Sequence, residues 1–275
     1  MALAQPIGIF DSGIGGLSIL KALRAELPDE HFIYIADSGH APYGERDDAH
    51  VVKRSLRIAA YLVSQNIKAL VVACNTATAA AIDLLRATYP KLPIIGVEPA
   101  LKPAVAISTT QHIAVLATRS TLASARFAAL LAAQPVQARF VLLPGDGLAE
   151  AIEQSTQSKD ATKVIAACAR ILGSAGIFNG QNEHFEALNP VDTLVLGCTH
   201  YPFAAQHIAA LLGSGVKLLD TGTAVALQTR RLLADKLSDQ PVQPIQWFST
   251  GQPDALEAAV IAWLGLKADS QALSI

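Results

Sequence analysis

Residues 70–78 read LVVACNTAT, and residues 194–202 read LVLGCTHYP. Each is an apolar run that ends on a cysteine and passes into small hydroxylated or polar residues. A short apolar run followed by residues that cap helices reads as a buried strand giving way to a helix. The pattern extends outward from both stretches. IGIF (7–10), HFIYIAD (31–37), ALVVAC (69–74) and PIIGVE (93–98) are short and rich in Ile and Val. HIAVLAT (112–118), ARFVLLP (138–144), DTLVLGC (192–198), VKLLD (216–220) and PIQWFST (244–250) continue the series. Longer amphipathic segments separate them, such as LSILKALRAEL (17–27), closed by Pro28. Apolar strands alternating with helices indicate an α/β fold with parallel sheet covered on both faces.

These strands, about nine in all, fit two sheets better than one, because the two cysteine segments look like equivalent positions in two halves. Prolines interrupt the rhythm in VEPALKPAV (97–105), where the first break is expected, and ALLGSGV (210–216) is the expected return crossing. Residues 173–190, rich in Gly and Asn, read as a surface insertion before the second cysteine strand.

Composition sets outer bounds. In 275 residues, 51% are hydrophobic and 16% charged, enough apolar surface for a large core. The net charge of −2 and the absence of a Lys/Arg-rich block argue against nucleic acid or an anionic membrane as the main partner. The N-terminal MALAQPIGIF has no basic region, long apolar core or cleavage site, and no apolar stretch is long enough to span a bilayer. A cytoplasmic protein is expected. Three widely spaced cysteines in such a compartment read as free thiols.

In open parallel sheets, ligands bind beyond the carboxyl ends of the strands. Asp11-Ser12, Cys74-Asn75-Thr76, Thr118 and Cys198-Thr199-His200 all fall at such ends. Each of Cys74 and Cys198 sits where a helix begins, with Thr or Asn expected to cap it. The positive end of a helix favours thiolate. Cys168, inside the helical KVIAACARIL, reads as core. Cys198 and His200 lack the companions that a zinc site needs, so no metal is expected. IFDSGIGGLS (9–18) offers a glycine loop, and Asp37 stands where a ribose-binding acid would sit. Against a dinucleotide stand Ser18 at the third glycine position and Asp11 at the strand end, whose charge repels a pyrophosphate. The other reading is a tight turn that exposes backbone N–H groups. DSGHAPYGERD (37–47) is a polar loop shaped by Pro42 and Gly44, and Glu150 and Glu153 share one helix face.

Two thiols, one from each half, can exchange protons with opposite faces of one carbon and so invert it. Hydroxyls and N–H groups suit a small substrate's carboxylate, while Asp11 and His200 could each tune one cysteine. A non-catalytic binder of a small carboxylate needs no such pair of thiols, and a nucleotide-dependent enzyme would use the glycine loop instead.

With these residues in place, the chain resembles the glutamate racemases of the cofactor-independent aspartate/glutamate racemase superfamily. The likeness is carried by IGIFDSGIGGLSIL, YIADSGHAPYG, LVVACNTATA, IIGVEPALKPA, ATRST, LVLGCTHYP and LLDTG, in that order, from about residue 6 to about residue 265. It implies two doubly wound parallel-sheet lobes of related topology with the active site between them. Residues 1–98 plus 211–275 would form the first lobe, and 99–210 the second. It implies interconversion of L- and D-glutamate without pyridoxal phosphate or metal, supplying D-glutamate for peptidoglycan. Cys74 and Cys198 would be the proton carriers, Asp11 assisting the first and His200 the second. The family's further acid falls on Glu153, with Glu150 the other candidate. Substrate contacts would fall on Asp11, Ser12, Pro42, Tyr43, Gly44, Asn75, Thr76, Thr118, Thr121, Thr199 and His200. Aspartate is the nearest rival substrate, one methylene shorter. Some members of the family are homodimers or are controlled by a cell-wall precursor.

Overall fold

The computed structural model describes residues 5–177, 191–237 and 243–275. Its strands are β1 (Ile7–Asp11), β2 (Phe32–Ala36), β3 (Ala69–Val72), β4 (Ile94–Gly96), β5 (His112–Ala117), β6 (Arg139–Pro144), β7 (Val191–Leu196), β8 (Lys217–Leu219), β9 (Gln246–Ser249) and β10 (Ser270–Ala272). Its helices are α1 (Leu17–Glu26), α2 (Asp48–Ser64), α3 (Asn75–Thr88), α4 (Leu101–Ile107), α5 (Arg119–Ala123), α6 (Ala125–Ala132), α7 (Leu148–Ser158), α8 (Thr162–Ser174), α9 (Ala205–Leu212), α10 (Gly222–Leu232) and α11 (Pro253–Leu264). The chain divides into two compact units, Met1–Val97 with Gly222–Ile275, and Glu98–Thr221.

The first unit holds six strands in the order β10-β9-β2-β1-β3-β4, all parallel. Every residue of β1 and β2 is buried, which is why both read as unbroken apolar runs. Phe10, Ile33, Ile35, Leu70 and Val72 pack with Val51, Ile58 and Leu62 of α2 and with Ala81 and Leu85 of α3. Ile7 and Ile9 face the other side of the pleat and are equally buried. Helix α2 begins where the Asp47 carboxylate accepts the His50 N–H at 2.7 Å. Its buried stripe runs through Val51, Ser55, Ile58, Ala59 and Leu62 at helical spacing, and Arg54 lies on that same stripe.

The second unit holds four parallel strands in the order β6-β5-β7-β8. Ala114 and Leu116 of β5, with Leu194 and Leu196 of β7, pack on Ile152 of α7, Cys168 and Ile171 of α8, and Ile208 of α9. The alternate residues Ile113, Val115 and Val195 meet Leu101 and Ala104 of α4 and Phe127 of α6. Cys168 lies in this core, where burial pushes its thiol up to about 11. The Asp192 carboxylate ties the start of β7 to the turn after α4. It accepts from Ser108 Oγ at 2.6 Å, the Thr109 and Thr110 N–H groups at 2.6 and 2.9 Å, and Thr109 Oγ1 at 2.7 Å.

Two sequence expectations change. The return to the first unit comes after Thr221, later than residues 210–216, because β8 pairs with β7 through Thr193↔Lys217, Leu194↔Leu218 and Val195↔Leu219. The segment 211–221 therefore belongs to the second unit, and Glu98 joins it too. A tenth strand, Ser-Gln-Ala at 270–272, adds to the edge of β9. It carries no β-branched or aromatic residue to announce it. Of the insertion expected at 173–190, residues 178–190 lie outside the described residues.

At the amino end of the first sheet Lys68 is 6% and Glu30 3% exposed, and their side chains pair at 2.5 Å. Lys68 Nζ also donates to the Lys236 carbonyl at 2.7 Å. Removing one partner strands a charge in a dry place. Lys68→Met should therefore cost roughly 3–5 kcal/mol of stability, and the paired change with Glu30→Gln should return most of it. Urea unfolding checks this: equal midpoints for the single and paired variants would show that the ion pair does not matter to the fold.

Candidate active site

In the first unit, three adjacent strands end on functional groups. β1 ends on Asp11, β2 runs into Asp37, and Cys74 follows β3 by two residues. The ladder continues past the strands, with the Asp37 N–H donating to the Asp11 carbonyl at 2.9 Å and the Ala73 N–H to the Phe10 carbonyl at 2.8 Å. Asp37, Asp11 and Cys74 are thus carried on one hydrogen-bonded row.

Cys74 is itself the cap of α3, where Thr or Asn was expected. Its backbone is extended, φ −132° and ψ 121°, and its Sγ accepts the Ala77 N–H at 3.4 Å. The sulfur thus lies on the positive end of a helix, which favours the thiolate. Ser12 is also beside it, its Oγ accepting from Sγ at 3.8 Å. Asn75 and Thr76, the first residues of α3, are buried. Asn75 Nδ2 donates to the Val97 carbonyl at 3.2 Å, while its Oδ1 is buried without a hydrogen-bond partner among the described residues. Thr78 fixes the helix to the strands around it. Its hydroxyl donates to the Val72 carbonyl at 3.2 Å and accepts the Val97 N–H at 3.0 Å.

The glycine loop after β1 is occupied by its own acid. Asp11 Oδ2 accepts the Gly13 N–H at 3.0 Å, and Tyr34 Oη donates to the Gly13 carbonyl at 3.0 Å. A carboxylate on the amide that a phosphate would use argues for the tight-turn reading of this loop. At Gly16 a Cβ would lie 2.7 Å from the Asp11 Cβ, so a side chain there would displace the acid. Of the polar loop, Pro42 and Gly44 are half-buried and Tyr43 is buried. Tyr43 Oη donates to Asp37 Oδ2 at 2.5 Å. Burial, with the Asp37 charge beside it, holds the phenol well above its usual range, so it stays a neutral donor.

The second unit has a different arrangement. Cys198 follows β7 but caps no α-helix; a single helical turn, Tyr201–Ala204, comes before α9. The expected match between the two cysteines therefore holds for the strand and fails for the helix. In place of a helix terminus Cys198 has an imidazole, with Sγ 3.8 Å from His200 Nδ1. His200 Nε2 in turn donates to Glu153 Oε1 of α7 at 2.8 Å. Burial alone would lower the His200 pKa, but the Cys198 and Glu153 interactions outweigh it and hold it well above the ordinary value. The two candidate acids part here: Glu150 faces solvent and accepts from Gln154 Nε2 at 2.9 Å. Tyr201 Oη donates to the Gly145 carbonyl at 3.2 Å, fixing the turn after Cys198 to the end of β6. Thr118, after β5, caps α5 by accepting the Thr121 N–H at 3.2 Å and donates its hydroxyl to Thr121 Oγ1 at 2.8 Å. Thr199 is buried beside Cys198.

Sequence reasoning passed over Arg54 and Thr250, both of which bind the Asp37 carboxylate. The available signal was an arginine on the apolar stripe of α2, at helical spacing from Val51 and Ile58. Among the described residues no three His, Cys, Asp or Glu side chains group as metal ligands, and no helix is long and apolar enough to cross a membrane.

A family model described as Asp/Glu/Hydantoin racemase matches residues 17–179. The glutamate racemase of Ectopseudomonas mendocina (strain ymp) is 44% identical over 265 residues, 96% of this chain and 96% of its own. The crystal structure of Escherichia coli glutamate racemase, in complex with L-glutamate and the activator UDP-MurNAc-ala, superposes with a TM-score of 0.84 at 30% identity, covering 98% of this chain and 97% of that one. The glutamate racemase of Francisella tularensis, in complex with D-glutamate, gives 0.80 at 27% identity over 98% and 97%. The twin strand-end cysteines, the acid that ends β1 and the Cys–His–Glu series thus stand in a chain that belongs to the glutamate racemases of the Asp/Glu/hydantoin racemase family.

Proposed function

We propose that the chain interconverts L- and D-glutamate by exchanging the proton at Cα through two thiols, Cys74 and Cys198, and so supplies D-glutamate for peptidoglycan in the cytoplasm. The observation that carries this is that each of two thiols at a strand end has its own polar partner, the Ala77 amide for Cys74 and the His200 imidazole for Cys198. Relatives whose structures hold L-glutamate in one case and D-glutamate in another support the choice of substrate.

A Cα proton is weakly acidic, and a thiolate removes it only where water is excluded and the nascent charge is spread by hydrogen bonds. In the L-to-D or D-to-L direction, one sulfur takes the proton from one face as a thiolate while the other gives its thiol proton to the opposite face. The carbon keeps four bonds, and the sulfurs exchange protonation states. Each thiol therefore has to be stable in both forms. For Cys74 the Ala77 amide and the positive end of α3 sustain the thiolate, with Asp11 the proposed assistant. For Cys198 the protonated His200, held by Glu153, does the same work. Substrate contacts are proposed for Asp11, Ser12, Pro42, Tyr43, Gly44, Asn75 and Thr76 of the first unit, and for Thr118, Thr121, Thr199 and His200 of the second. The buried, unpartnered Asn75 Oδ1 suits an acceptor for the substrate ammonium group.

Likeness to the E. coli relative extends the proposal to control by a cell-wall precursor. Adding UDP-MurNAc-ala to the assay should accelerate turnover, and an unchanged rate would remove that extension.

L-glutamate incubated with the protein in D₂O should acquire deuterium at Cα while its optical rotation decays to zero. Cys74→Ser and Cys198→Ser should each lower kcat by about a thousandfold. Near-normal turnover in either variant would exclude that sulfur as a carrier, and no exchange by the parent would leave a binder. Glu153→Gln should lower the His200 pKa, read by NMR titration of the ring. A raised imidazole pKa stabilises the fold below the ordinary histidine range and loses that contribution as pH rises through the folded value. The variant should therefore flatten the fall in stability as pH rises from the ordinary histidine value through the raised one; an unmoved His200 titration would break the proposed link.

A further inference from the structure

The Asp37 carboxylate is fully buried and accepts five hydrogen bonds. Arg54 grips it with both arms, Nε to Oδ2 at 3.0 Å and Nη2 to Oδ1 at 2.8 Å. Thr250 Oγ1 donates to Oδ1 at 2.7 Å. These three bonds tie it to α2 and to the end of β9, elements that are packed into the core. The other two come from the polar loop itself: Tyr43 Oη to Oδ2 at 2.5 Å and His40 Nδ1 to Oδ1 at 3.1 Å. Arg54 is fixed in turn, since its third nitrogen, Nη1, donates to the Ile275 carbonyl at 2.7 Å. The loop also abuts Thr250 closely. The Gly39 N–H donates to Thr250 Oγ1 at 3.2 Å, and a Cβ on Gly39 would lie 2.4 Å from the Thr250 carbonyl oxygen.

The loop thus hangs from one carboxylate by a phenol and an imidazole. Because the Tyr43 hydroxyl is spent on Asp37 and Arg54, what Tyr43 and Gly44 can offer a ligand is their backbone and the tyrosine ring. We infer that Asp37 is a positioning residue for the reaction, setting the height of the Tyr43–Gly44 segment above the sheet so that the segment can hold glutamate. The inference rests on Tyr43 and Gly44 being substrate contacts. Burial works against the Asp37 charge, but the Arg54, Tyr43 and Thr250 bonds prevail and hold its pKa below the usual value, so the anchor stays ionised at neutral pH.

The experiment compares four proteins by KM, kcat and melting temperature. Tyr43→Phe removes the hydroxyl's bonds to Asp37 and Arg54. The paired change Asp37→Asn with Arg54→Met removes the anchor without leaving a lone buried cation. The third variant combines all three substitutions, and the fourth is Gly44→Ala. Tyr43→Phe and the paired variant should each raise KM for L-glutamate roughly tenfold, the effect of losing one charge-assisted bond, with kcat within about twofold of the parent. Because the hydroxyl acts through Asp37 and Arg54, both replaced in the paired background, Tyr43→Phe should add nothing further there. Melting temperatures that fall while KM stays at the parental value would overturn the inference and leave Asp37 a fold residue alone. A Tyr43→Phe effect that persists undiminished in the paired background would also overturn it, since the hydroxyl would then meet substrate directly. Gly44→Ala separates the two levels. If it raises KM while the other variants do not, only the positioning role fails; if its KM is also parental, the segment does not bind substrate and both ideas fall.

Discussion

The bond from the Ala77 amide to the Cys74 sulfur depends on how quickly strand gives way to helix. β3 ends at Val72 and α3 starts at Asn75, so the first free amides of the helix are aimed back at the residue that leaves the sheet. Only a short side chain with an acceptor at its γ or δ position can answer them, and here that acceptor is sulfur. The rest of the first unit keeps this junction in place. Thr78 fixes α3 to the ends of β3 and β4, Tyr34 and Gly13 fix the loop after β1, and the buried faces of α2 and α3 hold the sheet beneath.

The second unit solves the same problem by other means. With a helical turn between Cys198 and α9, the sulfur caps no α-helix, and the positive charge comes instead from an imidazole braced by a carboxylate. One thiol answers to a fixed array of peptide dipoles, the other to a group that can itself gain or lose a proton. The two halves share strand, cysteine and hydroxyl neighbours, yet their electrostatics have different origins and different sensitivity to pH.

Much of this was legible from residue order. Unbroken Ile/Val runs announced a parallel sheet buried on both faces, and the repeated cysteine contexts announced two sheets. The strand ends, and with them Asp11, Cys74, Thr118 and Cys198, could be found by the same rule. Side-chain partnerships over long separations could not. Glu153 and Glu150 share a helix face in sequence, and the way α7 is turned against β7 is what brings one of them to His200. Nothing in the order of residues around Arg54 points to the Asp37 carboxylate opposite it. The position of β8 was hidden for another reason: a three-residue strand carries too little pattern to say which sheet it joins.

The first unit is assembled from two separated stretches of chain, with all of Glu98–Thr221 inserted between them. On a ribosome, β1 to β4 emerge early, but β2 has no neighbour on its outer side until β9 has been made more than two hundred residues later. The second unit is complete in sequence before that interval ends, whereas the first still exposes an open strand edge of the kind that recruits foreign strands. Closing a loop of that size is a modest entropic cost but a slow search. The nascent protein is thus most vulnerable to aggregation in the half that comes out first.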